Sequence, residues 1–128
     1  MNRVVLDASV ILAILFEERG AEKMTDEILA SAVISSVNLA EVQSKLVKMG
    51  HPPEAAWADA RLLETDPEPF TAAHAKIAGS LILQTESRGL SLGDRCCLAL
   101  GIALQAPVYT TERVWKDLRV GVPIHVIR

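Results

Sequence analysis

Residues 3–16, RVVLDASVILAILF, decide the fold, because an apolar strand passes directly into an apolar helix. The β-branched run from Arg3 to Leu6 is typical of a short buried strand. Val10 to Phe16 is apolar at nearly every position, which indicates a helix that is covered on most sides. Asp7 interrupts a run that otherwise resembles a signal peptide, and no small-residue cleavage site follows it. The segment therefore predicts the first strand and helix of an α/β protein.

Short apolar runs and helical stripes alternate along the rest of the chain. Further strands are predicted at Ala32 to Ser35, Pro107 to Thr110 and Pro123 to Ile127. Helices are predicted from Met24 with Ile28; from Leu39, Val42, Leu46 and Met49; from Trp57, Ala60 and Leu63; from Phe70, Ala73, Ile77 and Leu81; and from the run Asp94 to Leu104. Gly89 to Gly93 is expected to be a loop. This alternation predicts one domain, residues 1–128, with mainly parallel strands and helices on both faces of the sheet.

The composition limits what the chain can bind. Its 128 residues are 50% hydrophobic and 23% charged, which is typical of a globular domain, and the formal net charge is −3. Broad, non-specific binding of nucleic acids needs many Lys and Arg contacts, so a basic coat protein is excluded. A nucleic-acid ligand would have to be held by a few local cations and a bound metal.

The cysteines and histidines do not suggest a structural cross-link. Cys96 and Cys97 are neighbours in a predicted helix and point to different sides, so we expect reduced core thiols in a cytoplasmic protein. His51, His74 and His125 lack the spacing of a zinc site. No apolar segment is long enough to cross a bilayer, so no membrane association is expected.

Four acids are expected near one edge of the sheet. Asp7 ends the first strand, and Glu41 lies in the first turn of the helix after the second strand. Glu112 follows the third strand, and Asp94 opens the apolar helix that precedes it. Ligands of open parallel sheets bind beyond the carboxyl ends of the strands, so this edge is the predicted site.

Each acid also has a purely structural explanation. Carboxylates favour helix N-termini, where free N–H groups and the positive end of the dipole face them. Asn38 with Glu41, and Ser91 with Asp94, both have the spacing of a capping box. For any one acid alone, capping is the preferred interpretation.

The four acids together are harder to explain by capping. Two carboxylates about 4 Å apart repel by roughly 4 kcal/mol at an effective dielectric constant of about 20, and no Lys or Arg recurs at matching positions. Hard oxygen ligands suit Mg²⁺ or Mn²⁺. Such a metal would activate water and stabilise charge on a phosphoryl oxygen. The pattern therefore predicts a divalent-metal-dependent nuclease.

Four segments resemble, in order, the motifs of the PIN domain family. They are VVLDAS at 4–9, NLAEV at 38–42, LGDRCCLAL at 92–100 and VYTTERVW at 108–115. Each motif is weak alone, but the ordered set is fairly specific and extends over nearly the whole chain. The resemblance implies a PIN-like three-layer α/β/α fold with a short, mainly parallel central sheet, and it implies Asp7, Glu41, Asp94 and Glu112 as the catalytic acids.

A compact chain of this length further resembles the VapC-type toxins of type II toxin–antitoxin pairs. This resemblance implies a Mg²⁺- or Mn²⁺-dependent endoribonuclease with Asp7, Glu41 and Asp94 as metal ligands. It also implies a homodimer that is inhibited by a small cognate antitoxin. The fourth acid of the family is commonly Asp, whereas Glu112 is one methylene longer, so we expect it to reach the metal through water.

The residues beside the acids have two interpretations each. Ser9 would hold a metal-bound water or cap the first helix, and Thr111 is expected to be a cap. Arg95 and Arg113 directly follow an acid and would contact RNA phosphates or remain solvated surface residues. Trp115 is expected in the core.

Inhibition by an antitoxin has a simple physical basis. A planar Arg fork can bridge two carboxylates, so an antitoxin segment that carries an Arg would block the site. The helices that contain Met24 and Trp57 are expected to form its groove, with Trp57 in the core or at an interface. Two alternatives remain open: a non-catalytic PIN-like scaffold that binds RNA or protein, and a nuclease that acts on DNA.

Overall fold

The computed structural model describes residues 2–128, which form a four-stranded parallel sheet in the order β2-β1-β3-β4. The strands are β1 (Val4–Leu6), β2 (Ala32–Val33), β3 (Val108–Thr110) and β4 (Ile124–Val126). Val5 pairs with Val33 on one side and with Val108 on the other, so β1 lies in the middle of the sheet. The predicted mainly parallel sheet is confirmed.

Within residues 2–128, seven α-helices lie between the strands. They are α1 (Ala8–Leu15), α2 (Asp26–Ala30), α3 (Ser36–Lys48), α4 (Pro53–Ala60), α5 (Ala72–Ser80), α6 (Ile82–Thr85) and α7 (Leu92–Leu104). Three-residue 3-10 turns lie at Ala21–Lys23, Glu86–Arg88 and Arg113–Trp115. None of the helices in residues 2–128 is long and apolar enough to cross a lipid bilayer.

The two faces of the sheet are buried in separate apolar clusters. Alternate residues of a strand point to opposite faces, so Leu6 joins a core with residues of α1, α3 and α4. Val5 joins a second core with residues of α7 and with Trp115. Helices therefore cover both faces, and the three-layer α/β/α arrangement that the sequence predicted is confirmed.

Side-chain caps move several helix ends away from their predicted positions. The Thr25 hydroxyl accepts a hydrogen bond from the Ile28 N–H and starts α2 at Asp26, so Met24 and Ile28 do not share one helix. Ser35, rather than Asn38, caps α3. This places Glu41 in the second turn of α3 and not in its first, so the predicted Asn38–Glu41 capping box is wrong.

Two further boundaries follow from caps. Ser91 caps α7, so Leu92 and Gly93 belong to that helix and not to the predicted loop. Thr71 caps α5, so Phe70 precedes the helix whose stripe it was expected to share.

The Trp and Cys side chains fall into buried and exposed groups. Trp115 is completely buried, as predicted, and both Cys96 and Cys97 are buried free thiols. Trp57 is 42% exposed, and the Arg61 guanidinium lies 5.7 Å from its ring centroid. The core alternative for Trp57 is therefore wrong, and the interface alternative remains.

Candidate active site

Asp7 is a buried carboxylate that does not cap the helix it precedes. It is the N-cap residue of α1 by its backbone, but its side chain makes no capping hydrogen bond and is 3% exposed. Instead, the Ser9 hydroxyl donates to Asp7 Oδ2 at 2.6 Å, and the Thr110 hydroxyl donates to the same oxygen at 3.1 Å. The simple N-cap explanation for Asp7 is therefore wrong, and its carboxylate faces the end of β3.

The two hydroxyls tie the end of β3 to the start of α1. Ser9 Oγ accepts the Thr111 N–H at 3.1 Å, and Thr110 Oγ1 accepts the Glu112 N–H at 3.1 Å. The sequence drew attention to Thr111 as a cap, but Thr110 is the residue whose side chain contacts Asp7. Strand alternation could have identified it, because the Asp7 N–H bonds to the Tyr109 carbonyl and thereby sets Thr110 beside Asp7.

Asn38 and Gly93 fix the position of Glu41. Asn38 is fully buried, and its Nδ2 donates to Glu41 Oε1 at 2.7 Å and to the Gly93 carbonyl at 3.0 Å. A Cβ on Gly93 would lie 2.6 Å from Glu41 Cδ, so only glycine leaves room for this carboxylate. The sequence did not reveal that Asn38 bonds to Glu41 or that Gly93 leaves space for it. The one signal available in the sequence was a polar residue, Asn38, among apolar neighbours.

Asp94 opens α7 in a capping box. The Ser91 hydroxyl accepts the Asp94 N–H at 3.1 Å, and Asp94 Oδ2 accepts the Ser91 N–H at 2.9 Å. The capping-box spacing of Ser91 and Asp94 is therefore confirmed. The box holds the carboxylate at the helix start, half-buried and directly after Gly93.

Asp7, Glu41 and Asp94 act on one another electrostatically. The pKa of Asp7 is raised from 3.8 to about 6, chiefly by burial and also by the charges of Asp94 and Glu41, while the Ser9 and Thr110 hydrogen bonds oppose the rise. Burial also raises the pKa of Glu41, with a contribution from the Asp94 charge and opposition from the Asn38 hydrogen bond. None of the ion pairs in residues 2–128 includes Asp7, Glu41 or Asp94. The site thus concentrates negative charge without a cationic side chain to neutralise it.

The donor chemistry of these acids fits a hard divalent cation. Within residues 2–128, side chains and backbone donate to one oxygen of each acid: Oδ2 of Asp7, Oε1 of Glu41 and Oδ2 of Asp94. The second oxygen of each accepts no hydrogen bond there and has lone pairs for a ligand. As they stand, no three acidic, His or Cys side chains of that part of the chain lie close enough to enclose an ion. A cation would have to draw the carboxylates together.

Glu112 and the two arginines surround this centre. Glu112 is exposed, and its charge is not among the causes of the raised pKa values of Asp7 and Glu41. Arg95 is half-buried, and its Nη1 donates to the Ala78 carbonyl at 3.0 Å. Arg113 is exposed, with Nε donating to the Arg128 carbonyl at 3.3 Å. The structure brings Asp7, Glu41 and Asp94 together and leaves Glu112 at the rim.

Comparison with known proteins identifies the family of the chain. The sequence matches the model of the PIN domain family over residues 4–120, so the chain belongs to that family. A comparison with curated protein sequences gave no match.

Solved structures that share the fold include toxin–antitoxin complexes. VapBC2 from Rickettsia felis, bound to a promoter DNA fragment, aligns with a TM-score of 0.75 at 20% identity over 94% of this chain and 96% of that one. DNA-bound VapBC from Salmonella typhimurium aligns with a TM-score of 0.75 at 18% identity over 97% of each chain. Mycobacterium tuberculosis VapC20, described as a Sarcin-Ricin loop cleaving toxin, aligns with a TM-score of 0.72 at 19% identity over 94% of this chain and 99% of that one.

Proposed function

We propose that this PIN domain is a divalent-metal-dependent endoribonuclease that acts as the toxin of a toxin–antitoxin pair. The observation that carries the proposal is the group Asp7, Glu41 and Asp94, whose charges act on one another without a paired cation. A buried carboxylate with a pKa near 6 is unfavourable at neutral pH unless a cation binds it. Perturbed acids of this kind are typical of functional sites.

Asp7, Glu41 and Asp94 are the residues that would hold Mg²⁺ or Mn²⁺. Each offers an oxygen that the protein does not already use, and Glu112 would approach from the rim through water. A divalent ion held there supplies Lewis-acid stabilisation of phosphoryl oxygens and activation of water for attack on the phosphodiester.

Neutral donors position the carboxylates for this task. Ser9 and Thr110 orient Asp7, and Asn38 orients Glu41, through one oxygen in each case. Loss of a partner that orients a metal ligand in this way typically lowers metal affinity or activity by about 10- to 100-fold. The burial of Asp7 and Asn38 excludes water, which strengthens the electrostatic interactions at the site.

The proposed substrate and partners follow from the relatives. One similar structure is described as a toxin that cleaves the Sarcin-Ricin loop, which supports RNA as the substrate. Two others are described as a toxin–antitoxin complex and as a member of a family of toxin–antitoxin systems, which supports a small antitoxin as the partner. Arg113 is the first candidate for contact with RNA, because Arg95 is already bound to α5. A homodimer would cover exposed apolar side chains, which include Met49, Leu83 and Leu92.

The antitoxin groove is proposed between α2 and the segment that follows α4. Leu29, Leu62 and Leu63 line a cleft there, and Trp57 is exposed on α4. Met24, which the sequence suggested for this groove, is 6% exposed and belongs to the core instead. An amphipathic segment of the antitoxin could bury its apolar side in this cleft.

The test is hydrolysis of purified total RNA with Mg²⁺, with Mn²⁺ and with EDTA. We expect cleavage only with metal, and loss of nearly all cleavage in Asp94→Asn. This variant keeps an oxygen that can accept the Ser91 N–H, so its fold should persist. Asp59→Asn, which changes an exposed acid of α4, is the matched control and should cleave like the wild type.

Two results would contradict the proposal. Cleavage by Asp94→Asn at the wild-type rate would remove the acids from the mechanism. Metal-independent RNA binding without any hydrolysis would favour the non-catalytic scaffold instead.

A further inference from the structure

The segment after Glu112 is anchored on one side and basic on the other. Trp115 is completely buried and Leu118 is 9% exposed, so both anchor the segment in the core. Arg113, Lys116 and Arg119 are all exposed. Three hydrogen bonds from an N–H to the carbonyl three residues earlier, at Trp115, Lys116 and Leu118, give the segment helical turns. Residues three apart share one side of such turns, so Arg113 and Lys116 lie on one side. Arg119 follows these turns and lines one cleft with Lys116, so the three cations form a row.

Two surface clefts extend this row. Arg113, Lys116 and Arg128 line the first cleft, together with residues of β4. Lys116, Arg119 and Arg88 line the second. Lys116 belongs to both clefts, so the five cations form one continuous surface, which we call the basic surface.

Most cations of the basic surface have no ion-pair partner within residues 2–128. Residues 113–128 contain four Arg or Lys and one acid, Asp117, which gives a local side-chain charge of +3 in a chain of net charge −3. Of the five cations, only Arg128 forms an ion pair within residues 2–128, with Glu18 at 3.0 Å. The exposed cations of this surface are therefore available to an anionic ligand.

The basic surface begins beside the acids. The Glu112 N–H donates to the Thr110 hydroxyl, which itself donates to Asp7, and Arg113 is the next residue. The exposed His125 ring lies on the Tyr109 ring, with centroids 4.7 Å apart, at the wall of the first cleft. A row of cations next to an exposed aromatic ring is the arrangement that single-stranded nucleic acids bind.

We propose that the basic surface binds the phosphates of single-stranded RNA on one side of the scissile bond. Arg113, Lys116 and Arg119 contact successive parts of the backbone as it leaves the acids. This proposal rests on the proposed function, because it gives the RNA substrate its path. An acidic protein segment is the alternative ligand, but it gives no reason for the cations to begin at the catalytic rim.

The test compares RNA affinity in two double variants, both in the Asp94→Asn background with EDTA, so that no RNA is cut. Lys116→Gln with Arg119→Gln removes two cations of the basic surface. Lys23→Gln with Lys76→Gln removes two exposed cations elsewhere and is the matched control. The probe is a labelled single-stranded oligoribonucleotide, titrated at several salt concentrations.

Each single-strand phosphate contact contributes about 0.7 to the slope of log K against log salt. The loss of two contacts in the Lys116→Gln, Arg119→Gln variant should therefore weaken RNA binding roughly 25-fold at about 0.1 M salt. That slope should become smaller by about 1.4. The control variant should bind like its parent. Thermal unfolding should be unchanged in both, because all four side chains are exposed.

Equal RNA affinity and equal slopes in the two variants would overturn the proposal while leaving metal-dependent cleavage by the wild type intact. If the Lys116→Gln, Arg119→Gln variant kept its RNA affinity but lost binding of polyglutamate, the surface would be assigned to an acidic protein instead. If the Asp94→Asn protein binds no RNA and the wild type cuts none, both the proposed function and the proposed RNA path along the basic surface fail.

Discussion

Asp7→Asn should stabilise the metal-free protein at neutral pH. A rise in the pKa of Asp7 from 3.8 to about 6 means that folding disfavours its ionised form. At about 1.36 kcal/mol per pKa unit, the ionised carboxylate costs roughly 3 kcal/mol of folding free energy at pH 7. Asn carries no charge and keeps an oxygen that can accept the Ser9 and Thr110 hydroxyls. We therefore expect a gain of up to about 3 kcal/mol.

The direction of the Asp7 pKa shift determines how the stability of the protein depends on pH. Because the folded pKa is above the unfolded one, the folded state holds the proton more tightly. The stability of the wild type should then fall as the pH rises from about 4 to about 6, and it should level off above that range. Asp7→Asn should lack the part of this fall that Asp7 causes, so that the two proteins converge near pH 4 and diverge at pH 7.

The assay is urea unfolding in EDTA from pH 4 to pH 8, at one protein concentration because self-association would also stabilise the fold. Asp59→Asn, at an exposed site, controls for the loss of a negative charge. Mg²⁺ or Mn²⁺ at about 1,000 times its Kd should reverse the order, since a ligand at that concentration adds about 4.1 kcal/mol to the wild type alone, more than Asp7→Asn gains. A pH-independent difference between Asp7→Asn and wild type would refute the reasoning.

The remaining predictions concern positioning, the fourth acid and biological activity. Gly93→Ala should push the Glu41 carboxylate aside and lower cleavage by about 100-fold, the loss that a misplacement of about 1 Å can cause. The control Gly79→Ala, where a Cβ meets nothing within 4 Å, should cleave normally. The free energy of unfolding of both variants should change by no more than about 1 kcal/mol. Equal activity in the two variants would remove Glu41 from the site. Glu112→Gln should retain more RNA cleavage than Asp94→Asn, and an equally complete loss would indicate direct metal contact. Expression of the chain alone should arrest growth, and co-expression with a neighbouring small open reading frame should restore growth and yield a co-purifying protein; normal growth with abundant soluble chain would contradict the toxin assignment.

The features that the sequence predicted well are those set by short-range patterns. Apolar runs of three to five residues identified all four strands. For β1, β2 and β3 the reason is that a strand buried on both faces has little room for polar residues, whereas β4 is only partly buried. Parallel pairing then placed Asp7 beside the end of β3, since the carboxyl ends of parallel strands coincide. The spacing of Ser91 and Asp94 likewise predicted a capping box that involves only local atoms.

The features that the sequence could not predict depend on contacts between distant segments. Asn38 and Gly93 are 55 residues apart in the chain, and only the packing of α3 against α7 makes the Asn38 side chain a bridge between Glu41 and Gly93. Judged only from its neighbours in the sequence, Asn38 is a residue that favours helix caps. The exposure of Trp57 and the burial of Met24 have the same origin, because tertiary packing decides which side of a short helix is covered.

The choice of donors around the acids explains how the fold maintains an unfavourable site. A typical domain of this size is stable by about 5 to 15 kcal/mol, so roughly 3 kcal/mol at Asp7 is a substantial part of that reserve. A Lys or Arg beside Asp7 would remove the cost, but it would also neutralise the charge that attracts a metal ion. Ser9, Thr110 and Asn38 are neutral donors, and they orient the carboxylates while leaving their charge in place. The site thus orients its carboxylates and leaves their electrostatic cost unrelieved, which is what the proposed binding of a divalent cation requires.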